Sequence, residues 1–219
     1  MPKATVQDND SLGRLSSDCS FMLTHLIRQN GTPGKTDDDA KQILQSILSV
    51  DGPGLLKSSK VGWYNSCGSV NLLSREDGKF YNKTVTTKAV CFTESTLSGL
   101  LAHAQVFNAK YGLSFKREKI IGEGGNPCLN ITESILKTRT TFKKYNYHVF
   151  NFIPEELHPF INVINTNFDP THEREWRVAH DIIFNYEDIM FIFCPETEFE
   201  YFAQFQTNGK PVLFDLAWL

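Results

Sequence analysis

The chain reads as an α+β protein, with a mixed, mainly antiparallel sheet core and flanking helices. Three observations predict this. Apolar strand-like segments and helical periodicities alternate without the regular strand–helix repeat of a doubly wound fold. No internal repeat or linker divides the chain. Of its 219 residues 41% are hydrophobic, including 17 Phe, which is enough for one sizeable core. The expected organisation is a flexible polar tail over 1–18 and a single domain over 19–219.

The elements follow in order. "CSFMLTHLI" (19–27) is a first buried strand. "GTPGKTDDD" is a turn, and "DDDAKQILQSILSV" places Ile43, Leu44, Ile47 and Leu48 at helical spacing. Thr36 is the expected N-cap, and the three Asp suit the positive end of the helix dipole. "DGPG" ends that helix. Residues 51–87 are rich in Gly, Ser, Asn and Lys and are expected to form a long irregular excursion. "KAVCFT" (88–93) is a second strand, and "ESTLSGLLAHAQVFNAKY" a helix capped near Ser95 or Thr96. "YGLSFKRE" and "PCLNIT" are short strands around "GEGGN". "PEELHPFINVIN" is read as helical. "REWRVAH" and "IMFIFCP" are strands, "ETEFEYFAQFQ" a helix and "KPVLFDL" a last strand.

A formal net charge of −3 predicts no general attraction to nucleic acid or to an anionic membrane, while leaving room for a local basic groove. No apolar run approaches the roughly 18–20 residues that span a bilayer. The polar N-terminus lacks the apolar stretch of a secretory signal. A cytoplasmic location with no membrane partner is the expectation. The five Cys are an odd number, widely spaced, with no C-x-x-C pair. Those in "VCF", "PCLNI" and "FIFCP" are expected as reduced core residues.

Several motifs bear on chemistry. "QNGTPGKT" lies between a strand and a helix but has Gln29 where a phosphate-binding loop needs its first Gly. The acidic run Asp37–Asp39 also opposes phosphate, so a capped helix start is the better reading. "HEREWRVAH" (172–180) is not a zinc-binding H-E-x-x-H, because Trp176 stands at the second His position. His172 and His180 would lie roughly 26 Å apart on a strand, so no metal is expected. Strand alternation puts Glu173, Glu175 and Arg177 on one face and Trp176 and Val178 on the other. The polar row is either a solvated face with cross-strand ion pairs or a rigidly held carboxylate oriented by Arg177. His25, alone in an apolar strand, is either a satisfied core residue or a ligand contact.

Six segments together resemble the AbiGi-type abortive-infection proteins of bacterial phage resistance. They are "LTHL" (23–26), "ILSVDG" (47–52), "CFTESTLS" (91–98) with His103, "KYGLSF" (110–115), "GGNPCLNI" (124–131) and "EREWRV" (173–178), in the order of that family's pattern. Glu94 replaces an Asp, and Ser95-Thr96 an Ile-Pro pair, in the strand-to-helix turn. A strand His, a hydroxyl-bearing strand and a late strand Glu are more distantly similar to the ADP-ribosyltransferase fold, including DarT-like DNA-modifying toxins.

That resemblance implies an NAD-using toxin acting in phage defence. Glu175 would be the main catalytic residue, stabilising the positive charge that develops on the nicotinamide ribose. Glu173 would face the acceptor. His25, with Thr24 beside it, would anchor the cofactor; Thr93 or Ser95 would supply the pocket hydroxyl; Arg177 or Arg174 would meet the pyrophosphate. The acceptor would be nucleic acid or protein, and the basic-aromatic run over 136–150 is either a solvated loop or a single-strand surface. As a toxin the chain would have a cognate antitoxin as partner; the alternative is a non-enzymatic antitoxin or sensor that binds a partner protein, such as a cognate toxin, or nucleic acid.

Overall fold

The computed structural model describes residues 20–30, 36–61, 69–73, 77–84, 87–138, 155–167 and 169–219. The expected 1–18 tail, the turn over 31–35, Cys19, Cys67 and the basic-aromatic residues 139–150 lie outside them.

β1 (Met22–Leu26) leads to α1 (Asp37–Ile47). Thr36 caps α1 as its sequence predicts: its hydroxyl accepts from the Asp39 amide, and the Asp39 carboxylate accepts from the Thr36 amide at 2.9 Å. The stretch over 51–87 is not irregular throughout. It carries β2 (Gly54–Leu56), β3 (Ser59–Lys60), β4 (Ser69–Leu73) and β5 (Phe80–Thr84). Strands of two to five residues are too short to show a period, and two of these gain their partners from distant segments.

β6 (Lys88–Thr93), α2 (Leu97–Phe107) with its Thr96 cap, and β7 (Gly112–Lys116) follow, then α3 (Arg117–Gly122), β8 (Asn126–Pro127), β9 (Leu129–Thr132) and α4 (Glu133–Thr138). "PEELHPFINVIN" is helical only over the 3₁₀ turn Glu155–Phe160; Ile161–Ile164 form β10, paired in parallel with β9. Pro159 withholds a backbone donor, and the β-branched Ile-x-Val-Ile segment favours a pleated strand. β11 (Glu175–Val178), β12 (Ile182–Phe184), β13 (Ile189–Phe193), α5 (Phe199–Phe202) and β14 (Val212–Phe214) complete the chain, α5 lying between two 3₁₀ turns.

The main sheet runs β14-β13-β7-β1-β6-β11-β8, with β3 also on β6. It is antiparallel except for β13–β14. The expected mixed, mainly antiparallel α+β architecture is therefore present. Adjacent residues of β1 point to opposite faces. Leu23 enters a large core with Leu44 and Ile47 of α1 and with Phe92, Phe115 and Trp176. Met22 enters a second core with Leu100 and Ala104 of α2 and with Phe193. The two helices thus cover opposite faces of the sheet. Gly112 lets β7 pass close beside β1: a Cβ there would lie 2.5 Å from the His25 carbonyl oxygen.

One seam in the sheet is incomplete. β1 meets β6 only at Thr24 opposite Thr93, while β3 occupies the same edge of β6 only at Lys88 and Ala89. Between these points the edge of β6 borders a cavity.

Candidate functional site

The cavity has a volume of about 810 Å³ and is bordered by consecutive residues of both diverging strands, Thr24–Arg28 and Ala89–Thr93. Consecutive residues of a strand point alternately to its two faces, so the space lies in the gap between β1 and β6 rather than on one side of the sheet. Ile43 and Ile47 of α1 and Phe107 of α2 reach it from opposite layers. Thr24, His25, Thr93, Glu173, Glu175 and Arg177 all line it. Ser95 does not; it stands behind Thr93.

A row of buried polar side chains crosses four strands in register at the head of the gap: Ser114, Thr24, Thr93 and Glu175. Thr24 donates to Ser114 Oγ at 3.3 Å. Thr93 donates its hydroxyl proton to the Glu173 carbonyl at 2.6 Å and therefore accepts the 2.9 Å hydrogen bond from Ser95. His103 of α2 brings Nε2 to 3.4 Å from the same oxygen and stacks on His172, ring centroids 5.4 Å apart. Burial, followed by the charge of His172, holds His103 below the ordinary histidine range. Ser95 and His103 are thus supports for Thr93, which in turn fixes the main chain at Glu173.

His25 spans the open seam. Its Nδ1 lies 2.8 Å from the Cys91 carbonyl. A carbonyl only accepts, so the proton is on Nδ1. The ring packs edge-on against Phe92 at 6.0 Å.

Glu175 and Arg177 form a buried pair. Arg177 Nε donates to Glu175 Oε1 at 2.9 Å and Nη2 to Oε2 at 2.9 Å. Asn162 of β10 adds Nδ2 to Oε2 at 2.8 Å and accepts from Arg177 Nη2 at 2.6 Å. Arg177 Nη1 donates to the carbonyls of Pro159 at 2.7 Å and Ile161 at 3.4 Å. These bonds use all five guanidinium donors. Of the two expected roles for Arg177, orienting Glu175 is the one its geometry performs; it retains no N–H for a pyrophosphate. Burial pushes the Glu175 carboxyl up, but the charge and hydrogen bonds of Arg177 and the Asn162 amide outweigh it, and its pKa ends below the ordinary glutamate range. The solvated-face reading of this row fails, because Glu175 and Arg177 are both buried.

Glu173 is held differently. The strand begins only at Glu175; Thr171–Glu173 form a 3₁₀ turn and Arg174 takes a left-handed conformation at φ 44°. Arg174 faces away from the cavity, 3.4 Å from the buried Glu94, which also accepts from Arg117 at 2.9 Å and from Trp176 Nε1 at 2.9 Å. The Glu173 carboxylate pairs with Arg28 at 3.2 Å, and Arg28 lies 3.8 Å over the Phe107 ring. The Arg28 side chain is 53% exposed. Burial raises the Glu173 pKa, opposed by Arg28 and reinforced by the charge of Glu175.

Cys91, Cys128 and Cys194 are free thiols; Cys194 is buried and the other two half-buried. Burial, with Glu175 nearby, pushes Cys91 up to about 12, which makes it a poor nucleophile. Asp169 and Asp181 are occupied by hydrogen bonds from Thr171 and Ser58. Among the described residues no group of three or more His, Cys, Asp and Glu side chains is placed to hold a metal ion. No helix among them is long and apolar enough to cross a membrane.

Sequence reasoning missed Arg28, Asn162, Lys57 and Lys60 at the cavity. Asn162 carries the signal that singled out His25, a polar side chain inside an apolar strand. The lysines of the β2–β3 segment carry no such signal. No family model, curated protein or solved structure matches this chain.

Proposed function

We propose that the chain is a phage-defence protein of the abortive-infection kind, acting as an ADP-ribosyltransferase-like toxin that uses NAD to modify nucleic acid or protein. The observation that carries this reading is the convergence of Thr24, His25, Thr93, Glu173 and Glu175 on one cavity from positions about 150 residues apart. Its volume, about 810 Å³, falls within the roughly 300–1,000 Å³ of small-molecule and cofactor sites.

The lining fits such a substrate. His25 and Thr24 offer ring and hydroxyl contacts, Phe92 and Phe107 offer aromatic surface, and the carboxylates of Glu173 and Glu175 form a further part of the wall. NAD, when bound, supplies a glycosidic bond whose cleavage places positive charge on the ribose. Glu175, fixed as an anion by Arg177 and Asn162, contributes a preorganised negative group at that wall. Glu173, with its raised pKa and single exposed partner, is the carboxylate suited to exchange a proton with an acceptor. Thr93 sets its position through the Glu173 carbonyl.

The non-enzymatic reading, an antitoxin or sensor, draws on one observation: much of the bonding capacity of Glu175 is spent inside the protein. The test is transfer of labelled ADP-ribose from NAD to nucleic acid or protein in cell extract, together with nicotinamide release. Wild-type chain is expected to label an acceptor, and Glu173→Gln to abolish labelling while remaining folded. Folded wild-type chain that releases no nicotinamide with any extract, yet suppresses a co-expressed toxin, would replace the enzyme by the binding module.

A further inference from the structure

The proposed substrate needs a place for its phosphates, and neither arginine of the "EREWR" segment provides one. Arg177 has no donor left, and Arg174 points to Glu94 away from the cavity. The remaining cations of the lining are Arg28, which pairs with Glu173, and Lys57 and Lys60.

Lys57 and Lys60 sit where β3 takes over the edge of β6. β3 pairs with Ala89 and Lys88, four and five residues from Thr93, which stands opposite Glu175. At strand rise the backbone opposite Lys60 lies roughly 17 Å along β6 from Thr93. The cavity therefore has an acidic end, at Glu173 and Glu175, and a basic end, at Lys57 and Lys60.

A second feature sits at the basic end. Lys60 stands directly opposite Lys88 in the β3–β6 ladder, and like charges in that position destabilise a sheet. Among the described residues none of Lys57, Lys60 and Lys88 is within ion-pair distance of a carboxylate. Asp181 is the nearby acid that feels Lys88 and Lys57, and its Oδ1 already accepts from the Ser58 amide at 2.7 Å and hydroxyl at 2.6 Å. Three cations are thus gathered with one partly committed counter-charge. The arrangement leaves net positive charge at this end of the cavity, which a bound anion would offset.

We infer that Lys57 and Lys60, with Lys88 beside Lys60 in the ladder, form a phosphate-binding subsite at the β3 end of the cavity, for an extended ligand that carries its anionic group there and reaches the carboxylates at the other end. The inference rests on the reading that the cavity takes a nucleotide-type substrate. It adds that the phosphates are held by the β2–β3 segment and not by the strand that bears the glutamates. Occupation by a phosphate also offsets the Lys60–Lys88 repulsion, so ligand binding and the β3–β6 pairing support each other.

The experiment is calorimetric titration of the full chain with ADP and, separately, with inorganic pyrophosphate. Lys57→Gln/Lys60→Gln is expected to weaken both by about tenfold or more, as loss of charge-assisted contacts does. Lys60→Arg, which keeps the charge, should stay near wild type. If wild type binds both probes and the double variant does not, while the wild-type chain never cleaves NAD, the subsite stands and the transferase reading alone fails. Equal ADP affinity in wild type and double variant, or no binding of either probe to wild type, overturns the inference. In a third titration, with a short oligothymidylate, a double variant that loses oligothymidylate binding while keeping ADP binding overturns the inference in favour of a nucleic-acid surface. Should the double variant not fold, Lys57→Gln, outside the β3–β6 ladder, carries the same comparison.

Discussion

Glu175 and Glu173 are two residues apart and line one cavity, yet the protein treats them in opposite ways. Glu175 begins a regular strand, and its ladder with β6 and its bonds to Arg177 and Asn162 leave it little to adjust. Glu173 closes a 3₁₀ turn before the strand, held by its own carbonyl and by an arginine more than half exposed. One environment lowers the pKa through a buried, hydrogen-bonded opposite charge; the other raises it through burial that the half-exposed Arg28 does not outweigh. The difference teaches that regular pairing supplies a fixed electrostatic element, and that a group which must gain and lose a proton is placed just outside it.

The largest expected effect comes from removing the fixing partner. Arg177→Met leaves a buried carboxylate unpaired and should cost about 3–5 kcal/mol in urea unfolding. The double variant Glu175→Gln/Arg177→Met should recover much of that loss, because both charges are then gone. If Arg177→Met alone were neutral, the pair would not be the anchor described here. Next is Glu173→Gln: transfer activity should fall by about a hundredfold or more, with stability changed by less than about 1 kcal/mol. An equal loss of both would place Glu173 in the same class as Glu175.

Thr93→Val tests the link that aims Glu173. It removes one buried hydroxyl bond to the Glu173 carbonyl and should cost about 1–2 kcal/mol, with faster amide exchange over 171–174 and reduced activity. Stability loss with unchanged exchange there would limit Thr93 to packing. The smallest effects are in pH dependence, and they have opposite signs. The lowered Glu175 contributes stability above the usual glutamate range, lost as pH falls through its lower folded value. The raised Glu173 does the reverse: folding loses stability as pH climbs from that range through its higher folded value. The stability difference between wild type and Glu175→Gln should therefore shrink on acidification. Glu173→Gln should gain on wild type as pH rises through the same region.

Local chemistry explains which parts of this were legible in the sequence. The Thr36 capping box, the strand "KAVCFT" and the Thr96-capped helix are written in adjacent residues, and each stands where its pattern puts it. β2 and β3 exist because β12 and β6 lie beside them, a relation no local window contains. At the site, His25 and the glutamates stood out because polar groups in apolar strands need partners. The roles of Arg177 and Ser95 depended on tertiary neighbours, namely the carbonyls of Pro159 and Ile161 and the hydroxyl of Thr93. The left-handed Arg174, which ends the alternation between the two glutamates, follows from its contact with Glu94, 80 residues earlier.

The most direct measurement is titration of the full chain with NAD while backbone amide resonances of Leu26–Arg28 and Ala89–Thr93 are followed. A ligand seated in the seam must touch both strands, so saturable shifts are predicted in both segments at one common affinity. Shifts confined to one strand or to residues remote from the cavity, or no saturable change at all, would contradict the account.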